Sequence, residues 1–285
     1  MTENTKIVIY SAQRKNKQGV LNGLKLMFTD AKLSHGLAKR IAKRDISAMY
    51  RQSILGLLWA FIIPLINALI WMYLQSSGMI TLSDTGIPYP VYVFSGTMLW
   101  QIFVESLQSP IQQVAAAKGI LAKLNFPREA IILAGIYKNL FNALIKIIIL
   151  LPIVLYFGAE PTWTIVFFPL GILSLILVGT TIGLILSPIG TLYTDIGKVI
   201  PFMAQFLMFF APVVFVIPES GLTRLVFELN IMTPLLITSR DFLIGGQLDW
   251  LFYFGMVNLV CIFVFIIGWA IYRITMPVLI ERMSS

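Results

Sequence analysis

The sequence contains a single cysteine, Cys261, and a single histidine, His35. One thiol excludes an internal disulfide and one imidazole excludes a multi-histidine site, so neither a disulfide framework nor a structural metal is expected. Charge is scarce as well: Asp, Glu, Lys and Arg make up 12% of the 285 residues against 58% hydrophobic ones. Mean hydropathy is +0.86. That balance excludes a water-soluble fold. Catalytic signatures are missing too. The only Gly-Lys pair, Gly197-Lys198, is followed by Val199 and has Leu192 where a P-loop needs its first glycine, so this chain does not bind ATP by such a loop. GxSxG, HExxH and CxxC are absent, which argues against catalysis by this chain. No internal repeat or low-complexity tract occurs, which weakens a reading as a transporter built from tandem repeats within one chain.

What the chain has in abundance is hydrophobic runs. Crossing a hydrocarbon core about 30 Å thick takes roughly 20 residues. Six runs approach that length, at about 56–75, 88–109, 130–157, 163–186, 199–217 and 250–272. The expected fold is therefore an all-α, multi-pass integral membrane protein with six transmembrane helices between a segment at 1–55 and a tail at 273–285. The third run is long enough to tilt or to protrude. Lys and Arg mark cytoplasmic connections, and 17 of the 21 fall on one side: 11 within the first 55 residues, then Lys118, Lys123 and Arg128, then Lys198, then Arg273 and Arg282. Arg224 and Arg240 fall on the other side, and Lys138 and Lys146 within the third run. Both termini are thus expected in the cytoplasm, and topology alone accounts for most of the +8 net charge. The first 55 residues lack the apolar core and small-residue cleavage site of a secretory signal, so they are expected to stay in the mature chain.

Residues 31–52 place Leu33, Leu37 and Ile41 at helical spacing beside Lys32, Lys39, Arg40, Lys43 and Arg44, the pattern of an amphipathic helix lying in the membrane interface. On the far side, 218–249 is apolar but interrupted by Gly221, Pro234 and Gly245-Gly246. Thr233-Pro234 reads as a helix cap with a first-turn proline and Gly245 as a stop, so two short helices are expected there.

Polar residues inside the runs are ordered. Thr97, Gln101, Glu105, Gln108 and Gln112 recur at steps of 4, 4, 3 and 4 in the second, and Asn139, Asn142 and Lys146 at steps of 3 and 4 in the third, with Lys138 alongside. A charge at mid-bilayer costs about 2.5–3.5 kcal/mol, so these faces should meet each other or water. Glu105 is expected to meet Lys138 or Asn139. The stripes suit either the lining of a translocation path or an interhelical polar clamp. Aromatic residues give a second pattern: Phe202, Phe206 and Phe209 share one face of the fifth run, and Trp59, Trp71, Tyr73, Trp100 and Phe103 gather in the first two. Such rings suit stacking on sugars along a path, with Gln101 nearby, or equally interfacial belts and helix packing. Gly179 and Gly183 form a GxxxG in the fourth run, a mark of close helix contact.

The cytoplasmic edge of the first run carries a resemblance. Arg44-Asp45-Ile46, Tyr50-Arg51-Gln52-Ser53, Leu55-Gly56-Leu57-Leu58-Trp59 and Pro64-Leu65 resemble the approach to the first span in membrane subunits of type-2 ATP-binding-cassette exporters of polysaccharides. Gly96 with Leu99-Trp100 and Phe103, then Phe126-Pro127-Arg128, Asp195, and Asn230, Pro234 and Arg240 match in the same order. The resemblance covers about 40–275. One departure is that Ile231-Met232-Thr233 separates Asn230 from Pro234, a pair commonly adjacent in the family.

The resemblance implies a homodimer in a bacterial inner membrane, docked on two separate ATPase subunits that hold ATP and Mg, and exporting a lipid-linked glycan such as O-antigen, with capsule and teichoic acid as variants. No cofactor is expected on this chain, and lipid, not nucleic acid, is its other partner. The resemblance also implies a coupling helix at about 111–124, with Ala116, Lys118 and Lys123 against the ATPase. Lys43, Arg44, Arg51 and Arg128 then become candidates for the pyrophosphate of the lipid carrier, since arginine donates two parallel bonds to phosphate; headgroup contact and topology are the other use for these bases. A type-2 exporter of a drug or lipid is the alternative within transport, and a membrane-embedded glycan-modifying enzyme the alternative from another class. A passive channel is disfavoured, because one Glu and two Lys make no selectivity ring of one sign.

Overall fold

The computed structural model describes residues 20–51, 55–79, 85–121 and 127–284. Among the described residues all regular structure is helical: α1 (Val20–Arg51), α2 (Trp59–Ser76), α3 (Tyr89–Leu121), α4 (Glu129–Tyr156), α5 (Phe168–Leu192), α6 (Asp195–Leu207), α7 (Leu222–Leu229), α8 (Met232–Ile244) and α9 (Leu251–Ser284). Three stretches among the described residues are long and apolar enough to cross a bilayer, Glu129–Tyr156, Trp163–Leu192 and Leu251–Met276, and Ile62–Ser76 is a shorter apolar helix.

The remaining two expected spans depart from that type for different reasons. α3 has 33 residues, about 50 Å of helix, and mixes Ser, Thr, Gly and Gln with its apolar residues. It stands at the centre of the fold, against α2, α4, α5, α6 and α8, and every residue from Val91 to Trp100 is buried. A helix sheathed by protein needs no apolar face toward lipid. It also runs unbroken through Pro110 to Leu121, so 111–121 continue the central helix and do not form the separate short helix expected at 111–124; Lys123 lies outside the described residues. The fifth run, 199–217, does not form one continuous helix. α6 has 13 residues, about 20 Å, and after one 3-10 turn the chain straightens at Ala211 (φ −129°, ψ 151°). Pro212 is the cause, because its ring disfavours a helical backbone in the residue before it.

α5 supplies the tightest packing. Its Gly179 and Gly183 lie on the backbone of α3 at Phe103 and Leu107, the close contact that GxxxG foretells. On another face Ser174 Oγ donates to Asn258 Oδ1 of α9 at 2.7 Å. α1 docks on α4 through alanines, Ala38 and Ala42 against Ala130 and Ala134. Near the start of α4, Arg273 of α9 donates to Glu129 (2.9 Å) and to Asp30 of α1 (2.5 Å), tying three helices together.

The far-side segment folds as two short helices, α7 and α8, as expected. Gly245 ends α8 in the left-handed region (φ +80°), its N–H on the Asp241 carbonyl. The start differs. Ile231 is the N-cap residue and makes no side-chain cap; the Met232 N–H donates to Asn230 Oδ1 at 2.9 Å, while Thr233 is inside the helix and its hydroxyl donates to the Phe227 carbonyl.

Candidate functional site

Within the buried surroundings of α3 one stripe stays open. Gln101 and Gln108 are half-buried, the Glu105 side chain is 40% exposed, and Gln112 is exposed. Polar groups at membrane depth do not face lipid, so this stripe must face water, cargo or another subunit. Lys146 of α4 is 3% exposed and donates to both carboxylate oxygens of Glu105, at 2.7 and 2.8 Å. Asn142 Nδ2 adds a longer contact of 3.4 Å to the same carboxylate. The clamp is therefore Glu105–Lys146, a correction to the expected partners Lys138 and Asn139. Lys138 stands two turns, about 12 Å, nearer the hairpin turn, whereas Lys146 is level with Glu105 when two antiparallel helices are folded about 122–128. Asn139 is buried on α4 about two turns before Lys146, its Nδ2 without a partner among the described residues. The pair is lopsided, and that sets its response to mutation. Glu105→Gln strands an ammonium that is almost wholly buried, whereas Lys146→Met leaves a carboxylate that water still reaches. Removing one member of a buried pair costs about 3–5 kcal/mol, so Glu105→Gln should approach that range and Lys146→Met fall below it, measured as melting temperatures in detergent.

A second polar constellation sits where the chain leaves helical form. Residues 211–214 are wholly buried, so their carbonyls require donors. Arg240 of α8, 4% exposed, provides them. Its Nη2 donates to the carbonyls of Pro212 (3.0 Å), Val213 (3.3 Å) and Tyr92 (3.3 Å), and its Nε to Ser95 Oγ (3.2 Å). The guanidinium also lies 3.8 Å over the Tyr92 ring, and Tyr92 Oη donates to the Phe215 carbonyl at 2.9 Å. From the sequence Arg240 reads as an outer-side base and a family match; its place as a clasp joining α3, α8 and the broken segment is decided by Pro212, which creates the bare carbonyls.

Beside it, burial pushes the Asp241 carboxyl up to about 6, with Arg240 opposing and Asp249 adding to the rise. A raised acid favours the folded state while protonated. This contribution is fully present below the unfolded value of about 4 and is lost as pH rises through about 6. Asp241→Asn is accordingly expected to raise the melting temperature at pH 7.5 and to have no such effect at pH 4.

The aromatic candidates separate into two groups. Trp100 and Phe103, with ring centroids 5.3 Å apart, are both buried in the core, so neither lines an open surface of the subunit; that expectation is corrected, since their face of α3 is covered by neighbouring helices. Phe202 and Phe206 on α6 are 60% and 50% exposed and stack edge to face at 4.8 Å. Phe209 is exposed too and meets Trp71 of α2 at 5.9 Å. Trp59 opens α2 and is 47% exposed.

The bases do not converge as one cluster. Lys43, Arg44 and Arg51 are exposed on α1, with Arg44 held by Asp45 at 2.8 Å. Arg128 is half-buried at the start of α4, where burial lowers its pKa against the pull of Tyr272 and Glu129. It neighbours Glu129, which Arg273 ties to Asp30, and Asp30 lies 21 residues, about 30 Å of helix, before Arg51. One pyrophosphate does not span that distance, so Arg128 and Arg51 of one chain are not brought together. At the end of α3, Ala116 is exposed; the Lys118 side chain and Lys123 lie outside what is described.

Comparison with known proteins adds a family to this geometry. The chain is 26% identical over 205 residues to "O-antigen export system permease protein RfbA" of Myxococcus xanthus, covering 70% of this chain and 77% of that protein. It is 22% identical over 238 residues to a protein of the same name from Klebsiella pneumoniae, covering 82% and 89%. Residues 37–244, which hold α2 to α8 and both polar constellations, match the model of the family described as ABC-2 type transporter, and the chain belongs to that family of membrane transport proteins.

Proposed function

We propose that the chain is the six-span permease subunit of an ATP-driven exporter that moves a lipid-linked polysaccharide, O-antigen in kind, outward across the inner membrane of a bacterium. In this reading both termini are cytoplasmic, two copies form the path, and two separate ATPase subunits engage the exposed end of α3 near Ala116, with Lys118 and Lys123 in the segment that follows. The observation that carries it is the open stripe Gln101–Glu105–Gln108–Gln112 on a helix that is otherwise almost wholly buried from Val91 to Val114. Amides spaced along a helix exchange hydrogen bonds with successive hydroxyls of a moving chain, and the exposed rings of Phe202, Phe206 and Phe209 offer faces for sugars. The relatives named as O-antigen export permeases support the choice of cargo.

α1 supports a role at the cytoplasmic surface, where its exposed face presents Lys39, Lys43, Arg44 and Arg51. Arg51 ends that helix, where a cation is favoured by the helix dipole, and is proposed to take the phosphate of the carrier lipid. Cells lacking the chain should accumulate glycan inside and lose it from the surface, and loss of a drug or lipid efflux phenotype instead would redirect the cargo. Arg51→Ala should cut surface glycan by at least about tenfold, the weight of one charge-assisted contact of about 1.5–3 kcal/mol, while the complex with the ATPase still purifies. Normal surface glycan in that variant removes Arg51 from the site.

A further inference from the structure

Between α1 and α4 lies a groove of about 540 Å³, a volume in the range of ligand sites. Its floor is apolar, formed by Ile46 of α1 and by Leu140 and Phe141 of α4. Its rim carries Lys39 and Lys43, one helical turn apart, both exposed. One end is closed by His35 and Tyr137, which share a 2.6 Å hydrogen bond and meet edge to face. No acidic residue lines it, and among the described residues neither lysine has a salt-bridge partner.

An apolar floor under a rim of two cations matches a molecule with an acyl chain and an anionic head. We infer that this groove is a binding site for an anionic phospholipid of the bilayer, with Lys39 and Lys43 on its phosphodiester and an acyl chain over Leu140 and Phe141. Lysine is a point charge and suits a single phosphate, whereas the fork of arginine suits bidentate capture of a pyrophosphate; no arginine lines the groove. The site is thereby distinct from the one proposed for the carrier lipid at Arg51. A lipid seated here fills the space between α1 and α4 beyond the alanine contacts of Ala38 and Ala42, and so bears on how firmly α1 is held.

The test is native mass spectrometry of the purified full-length chain, titrated with phosphatidylglycerol and with phosphatidylcholine of the same acyl chains. Phosphatidylglycerol should be retained about tenfold or more tightly, and the double variant Lys39→Ala, Lys43→Ala should lose that preference, since each basic residue near a lipid surface contributes close to a factor of five. Leu140→Trp keeps the charge, fills the floor and should displace the lipid as well; it serves alone if the double variant does not fold. Lys198→Ala, exposed on α6 and outside the groove, should retain it. Equal retention of the two lipids, or retention unaffected by the groove variants, overturns the proposal. Displacement of phosphatidylglycerol by an equimolar polyprenyl pyrophosphate in the wild type, but not in the groove variants, assigns the groove to the carrier lipid and also overturns it. None of these readouts uses export, so their failure leaves the transport reading untouched.

Discussion

Replacing Arg240 with alanine is expected to lower stability by about 3 kcal/mol or more, a fall of roughly 6–12 °C in melting temperature for a chain of this size. The change leaves the carbonyls of Pro212 and Val213 in a buried place without the Arg240 donor. An unsatisfied buried polar group costs about 1–3 kcal/mol, more than a hydrogen bond contributes when made. Those carbonyls have no helical alternative, because Pro212 has already taken the segment out of the helix. Arg240→Lys tests the geometry: it keeps the charge but not the planar group that donates to Ser95 and the carbonyls together while lying on the Tyr92 ring. It should recover part of the loss. Full recovery would mean that charge alone matters and that the forked geometry does not. The readouts are thermal unfolding in detergent and the fraction of monodisperse protein on size exclusion.

Gly183→Val is expected to prevent assembly of the fold altogether. A Cβ at Gly183 would press into the Leu107 carbonyl of α3 and stand 2.9 Å from Cδ of Pro110, and one at Gly179 would lie 2.6 Å from the Phe103 carbonyl. Overpacking against side chains costs about 1–3 kcal/mol, with larger costs where nothing yields. Here the obstacle is backbone, so α5 must move off α3 and take with it the contact that organises the centre of the molecule. Gly179→Val should behave alike. Gly255→Ala in α9 is the control, since a Cβ there meets nothing within 4 Å; it should be tolerated or slightly stabilising, because glycine costs a helix interior about 0.5–1 kcal/mol relative to alanine. Near-normal expression of Gly183→Val would show that the two helices have slack the structure does not display.

The Glu105–Lys146 pair shows how far spacing reaches. Step lengths of 3 and 4 place Glu105 and Lys146 on polar stripes, and the cost of burying charge dictates that the stripes meet. Which basic residue meets Glu105 depends on where the hairpin folds, and that is a tertiary quantity: a shift of two turns exchanges Lys138 for Lys146. The rings behave likewise. Trp100 and Phe202 are indistinguishable by type and periodicity, yet one is enclosed by the helices around α3 and the other is exposed on α6.

The hydropathy pattern by itself determined that the chain is helical and embedded in a membrane, because a long apolar run leaves the backbone no other way to satisfy its hydrogen bonds in lipid. Pattern likewise placed two short helices before α9, the Gly245 stop and the close contact at Gly179 and Gly183, all of which depend on neighbours within a few residues or on the size of one side chain. Only the tertiary structure decided that α3 is the sheathed central helix and that Arg240 turns inward to clasp the break at Pro212. Those outcomes rest on contacts between residues distant in sequence, such as Arg240 with Tyr92 and Ser95, and no local spacing encodes which distant carbonyl will need a donor.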